Sequence, residues 1–164
     1  MTRDEVVERL KASRETFDSK VEAVPYEALC VPAPGSAHSV KDIVAHVAAY
    51  DELIVARLRA SRDGETTAFD RDREGWEAFN RRTWGEAAEV PLDDVLHRAI
   101  DVFASMVHEV GRLSDDELNA CAGSTASLDP AWLEGHAPWE LIATDTYDHY
   151  PMHHGALESA AGLG

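Results

Sequence analysis

From Pro91 to Gly111 the residues Leu92, Val95, Leu96, Ala99, Val102, Phe103, Met106 and Val110 recur at helical spacing. Such a stripe commits the chain to a long amphipathic helix with one face to bury. No strand-like alternation runs for more than a few residues, and there is no internal repeat or low-complexity tract. The fold class is therefore all-α.

Other segments repeat the pattern. Thr2 is placed to cap a first helix carrying Val6, Leu10, Phe17, Val21 and Val24, which Pro25 ends. Pro32, Pro34 and Gly35 mark Val31 to Ser39 as a loop; Ser39 then caps a second helix to about Arg62, and Asp42 completes a capping-box-like start. A polar stretch precedes a shorter helix marked by Trp76, Phe79 and Trp84. Ser114 to Pro138 reads mainly as a loop anchored by Trp132. The last helix starts near Pro138, a residue suited to the first helical position, and runs through WELIATDTYDHYPMHHGAL. Four main helices with short extra pieces predict an antiparallel four-helix bundle, with residues 1–164 as one domain.

Charge narrows the partners. Against 15 basic residues stand 31 acidic ones, a formal net charge of -16, which repels phosphate backbones and anionic headgroups. The expectation is a small-molecule ligand, with no nucleic acid and no membrane. No run approaches the roughly 20 apolar residues of a membrane span, and the start MTRDEVVERL is charged where a signal peptide is apolar, so a cytoplasmic protein is expected. Cys30 and Cys121 form no CxxC pair and read as reduced structural thiols. An exposed apolar helix face would suit a homodimer.

The chemistry concentrates in three histidines. In the last helix Trp139, Ile142, Ala143 and Thr146 set a stripe whose phase brings His149, Tyr150 and His153 inward, while His154 points about 100° away. His46 lies in the second helix beside Ile43 and Val47. One imidazole from one helix and an i, i+4 pair from another supply the three protein ligands of an open divalent metal site. The same burial also suits a metal-free hydrogen-bonded network. Asp145, one turn before His149, is placed to orient that imidazole, whereas Asp42 reads as a cap. Tyr50, Tyr150 and Trp132 are candidate walls of a substrate pocket. His97 and His108 fall on the polar side of their helix, and His38 and His136 lie in loops.

The blocks SVKDIVAHVAAYDE, WEAFNRRTWGEAAEVPLDDVL and WELIATDTYDHYPMHH resemble those of the DinB/YfiT-like four-helix-bundle superfamily, across nearly the whole chain. The resemblance implies zinc or nickel held by one histidine of the second helix and an HxxxH pair of the last, matching His46, His149 and His153. It further implies a thiol S-transferase using bacillithiol, mycothiol or glutathione. The TYDHY wording, the Phe79-Asn80 pair and the PLDDVL helix start are most similar to the colibactin self-resistance branch. That branch is implied to hydrolyse or capture a reactive electrophile and need not use a metal. Pro151 departs from an unbroken helix, because it removes a backbone hydrogen bond between the paired histidines. Three functions follow: a metal-dependent transferase or hydrolase acting on an electrophilic small molecule, a metal-independent self-resistance protein, and a non-catalytic ligand-binding module.

Overall fold

The computed structural model describes residues 1–33, 35–120, 128, 130–133 and 135–162. Helix α1 is Arg3–Glu22, α2 Val40–Asp63, α3 Ala68–Arg71, α4 Trp76–Ala88, α5 Leu92–Gly111, α6 Asp115–Asn119, α7 Pro130–Leu133, α8 Pro138–Asp145 and α9 His154–Ala160. Short 3-10 turns occupy Tyr26–Ala28 and Tyr150–His153. The fold is a four-helix bundle built from α1, α2, α5 and the final stretch α8 to α9, with α4 laid against α2. None of the helices among the described residues is long and apolar enough to cross a membrane.

The caps act where the residue types suggest. Thr2 with Glu5 and Ser39 with Asp42 each form a capping box, satisfying backbone donors that a helix start leaves free. Asp42 is thus spent on Ser39, accepting from both its main-chain nitrogen and its hydroxyl. α2 ends where Gly64 takes a left-handed conformation, φ 72°, which glycine adopts without steric penalty.

Two apolar cores occupy opposite ends of the bundle. One gathers Val6, Leu10, Ile54, Leu58, Met106, Leu118, Leu133 and Ile142, and the other Phe17, Val40, Ile43, Val47, Val95, Tyr150 and Leu157. Each fully buried large side chain contributes about 1.5–3 kcal/mol. Between them lies a polar layer. Arg14 of α1 donates to Asp18 at 2.7 Å, to Asp51 of α2 at 3.2 Å and to the Ala99 carbonyl of α5 at 3.3 Å, and the Tyr150 hydroxyl donates to Asp51 at 2.6 Å.

The final helix differs from the continuous one expected, and its break lies upstream of Pro151. Thr146 leaves helical geometry at φ -129°, ψ -97°, its hydroxyl folded back onto the Ile142 carbonyl. The chain then re-forms through hydrogen bonds donated by the His149 and Tyr150 main-chain N–H groups to the Thr146 carbonyl. Because α8 has already ended, Pro151 falls at the start of a 3-10 turn, where its missing N–H leaves no interior bond unmade.

The loop expected between Ser114 and Pro138 carries α6, with a Ser114/Glu117 capping box, and α7. α3, capped by Thr67, interrupts the polar stretch before α4. Cys30, read as structural, is an exposed free thiol, and Cys121 lies outside the described residues.

Candidate metal centre

His46 and Tyr50 stand one turn apart on the same face of α2, and in the last segment His149 precedes the 3-10 turn and His153 is its final residue. Their ring nitrogens converge. His46 Nε2 lies 3.3 Å from His149 Nε2, His153 Nε2 lies 3.1 Å from the same atom, and all three ligand atoms fall within 4.8 Å of one another. Nitrogen ligands of tetrahedral zinc sit about 3.3 Å apart, given Zn–N bonds of about 2.0–2.1 Å.

That convergence is poorly satisfied by protein alone. A neutral imidazole nitrogen carries either a proton or a lone pair, so His149 Nε2 makes one good hydrogen bond and not two. A cation receiving three lone pairs satisfies every member at once. Protonation favours the same state. Burial pushes His46 down to about 3, reinforced by its neighbours His149, His153 and His38. Burial first, then His149, His154 and His38, brings His153 to about 4. Burial also lowers His149. Rings that stay neutral through the physiological range are the form a metal requires, so the residues present fit a divalent ion.

Asp145 acts differently from the expectation. Its carboxylate turns to Arg57, at 3.0 Å, and away from the imidazole one turn later. Only its main-chain carbonyl acts on His149, partly opposing the downward shift, and it falls short of hydrogen-bond geometry with the buried Nδ1. The reason is electrostatic: Arg57 is buried, and neutralising it draws in Asp145 as well as Asp70, 2.7 Å away. Asp145 itself is raised to about 6, because burial outweighs the stabilising guanidinium.

The three expected pocket residues divide. Tyr50 packs against two of the histidines, with its ring 4.9 Å from His46 and 4.5 Å from His149, and its hydroxyl donates to Asn80 Oδ1 at 3.0 Å. Tyr150 instead belongs to the core: it is wholly buried, tilted against Phe17 and bonded to Asp51. Trp132 sits on α7, 3% exposed in a core cluster, and borders a cavity of about 360 Å³ lined also by Arg57, Asp70, Trp76 and Asp145. For Tyr150 this is a correction. Although Tyr150 follows His149 directly, its side chain runs to Phe17 and Asp51.

α4 and the loop before α2 complete the surroundings of the histidines. α4 presents Trp76, Asn80 and Trp84 at i, i+4 and i+8, a spacing that places them on one face. Trp76 stacks on Tyr50, 5.2 Å between centroids and 9° from parallel. Trp84 stacks on His46 at 4.4 Å and 7°, and His38 covers Trp84's other face at 3.8 Å and 11°. In the sequence Trp76 and Trp84 read as core aromatics as readily as pocket walls, because helical spacing alone does not separate the two. The remaining histidines stay apart: His97, His108 and His136 are exposed, and His154 lies beside Lys20 and Glu158.

Residues 9–142 match the DinB superfamily. The chain belongs to that superfamily. Among solved structures, this DinB protein is similar to an uncharacterised protein from Escherichia coli UTI89, with TM-score 0.81 and 16% identity over 98% of this chain and 93% of that one. It is also similar to the colibactin self-resistance protein ClbS, solved in complex with a dsDNA, with TM-score 0.78 and 16% identity over 96% and 93%. A third neighbour is the Sibling Lethal Factor Precursor, DfsB, with TM-score 0.80 and 12% identity over 96% and 94%. At these identities the likeness is one of fold. No curated protein matches the chain.

Proposed function

We propose that this DinB protein binds a divalent metal ion, zinc or nickel, through Nε2 of His46, His149 and His153, and acts enzymatically on an electrophilic small molecule. The observation that carries this reading is the meeting of three neutral imidazole nitrogens that cannot all satisfy one another. Bound there, such an ion lowers the pKa of a water or a low-molecular-weight thiol toward neutrality, making a nucleophile. The residues around the three histidines are largely aromatic. Tyr50, stacked on Trp76 and donating its hydroxyl to Asn80, packs on one part of the cluster, and Trp84 stacks on His46. Such rings around the three ligands limit the access of bulk water.

The net charge of -16 supports a small-molecule substrate over a duplex, although the ClbS neighbour was solved with DNA. A second reading is metal-free hydrolysis or capture of a reactive natural product, as a self-resistance protein. It is favoured by the Nδ1 atoms of His46 and His149, which are buried without the hydrogen-bond partners that usually orient metal-bound imidazoles.

Elemental analysis of protein purified without a metal-affinity tag separates the two. Stoichiometric zinc or nickel, lost with His149→Ala together with turnover of an electrophile in the presence of glutathione or water, is the expected result. Unchanged turnover after chelation would establish the second reading, and ligand binding without product would point to a binding module.

A further inference from the structure

An imidazole that holds a metal needs its ring fixed about χ2, a torsion that is otherwise broad. The common device is a hydrogen bond from the second ring nitrogen to a carboxylate or carbonyl. His46 has none, since its Nδ1 is buried and without a partner. Asp42, the carboxylate one turn earlier on α2, is committed to Ser39. The His46 ring nevertheless directs Nε2 at His149.

A different device stands against it. The His46, Trp84 and His38 rings form one nearly parallel stack, with tilts of 7° and 11°. The three come from separate places: α2, α4 and the loop before α2. Offset stacking restrains the rotation that a missing hydrogen bond leaves free, and the Tyr50 ring meets His46 edge-on from another side. Trp84 has both faces covered, so it offers no free platform on which a flat ligand could stack.

We infer that Trp84 is a positioning residue: its indole, clasped from outside by His38, holds the His46 imidazole in the orientation that aims Nε2 at His149 and His153. The consequence for metal affinity rests on the proposed metal site, whereas the ring orientation itself does not. The clasp takes the place of the absent carboxylate partner, and its loss should weaken binding about as much as loss of such a partner does, roughly 10- to 100-fold.

The test uses the full chain with Trp84→Leu, Trp84→Phe and His38→Ala. In the metal-free protein, NMR should show the His46 ring protons shifted upfield by the indole; Trp84→Leu should abolish that shift and Trp84→Phe restore part of it. Zinc affinity, from competition with a chromophoric chelator, should fall about 10- to 100-fold in Trp84→Leu and recover most of the loss in Trp84→Phe. Unshifted His46 protons in the wild type, or a Trp84→Leu protein binding zinc as the wild type does, would overturn the inference. A wild type that binds no zinc yet shows the shifted protons would overturn the metal reading alone. Should Trp84→Leu not fold, His38→Ala leaves the indole in place and should still weaken zinc binding severalfold; unchanged affinity there overturns the clasp.

Discussion

The Tyr150 hydroxyl donates to Asp51 Oδ1 at 2.6 Å, tying the last segment to α2 immediately beside His149 on one strand of the tie and Tyr50 on the other. Asp51 is fully buried, and Arg14 Nη1 at 3.2 Å is its other partner. Tyr150→Phe keeps the ring against Phe17 but leaves a buried carboxylate short of a donor. We expect a loss of about 1.5–3 kcal/mol in urea unfolding, the range for hydrogen bonds to charged groups. A loss within about 0.5 kcal/mol, the size of an ordinary surface change, would show that the bond contributes nothing net.

The metal-free protein should depend on pH through its buried histidines. His46 and His153 are pushed down to about 3 and about 4, so between those values and the ordinary 6.5 the unfolded chain binds more protons than the folded one. Their stability is complete above about 6.5 and drains away as pH falls, at up to about 1.4 kcal/mol per unit for each ring. Asp51, raised to about 7 by burial, has the opposite sign, losing stability as pH rises toward 7. His46→Gln removes one histidine contribution only. With chelator present, the stability gap between wild type and this variant should narrow from pH 7 to pH 4.5; a constant gap would contradict the assignment.

Asp145→Asn separates two roles for that residue. Arg57 keeps Asp70 but loses a charged acceptor, so stability should fall by about 1–3 kcal/mol. Zinc affinity should stay within about threefold, because the carboxylate does not touch His149, whereas an orienting partner would bring a loss of about 10- to 100-fold. A chelator titration of the variant decides between them.

Pro151→Ala tests the tolerance of the break. Proline at a compatible position stabilises chiefly by restricting the unfolded chain, so the variant should lose about 0.4–1 kcal/mol. Metal stoichiometry should be unchanged, since the His149 to His153 geometry is set by the turn and by packing. A variant that loses its metal while remaining folded would assign Pro151 a direct part in aligning the pair.

Much of the bundle was legible along the chain. The stripes of α1, α2 and α5 recur at helical period, and Thr2, Ser39 and Pro91 mark starts that depend only on local hydrogen bonding and backbone preference. Helix phase likewise predicts that His46 faces the core, because neighbours three and four residues away must be buried for the helix to pack. Other features depend on groups distant in sequence. Asp145 turns from His149 because Arg57, 88 residues upstream, is buried and needs a counter-charge. Tyr150 enters the core because Asp51 and Arg14 form a polar layer there, and Thr146 breaks the helix beside that layer. The Trp84 stack joins three segments whose rings meet only once α4 lies on α2. Local periodicity thus determined which faces are buried, while the pairing of buried charges and rings, set by whichever partner tertiary packing brings near, decided what each functional side chain touches.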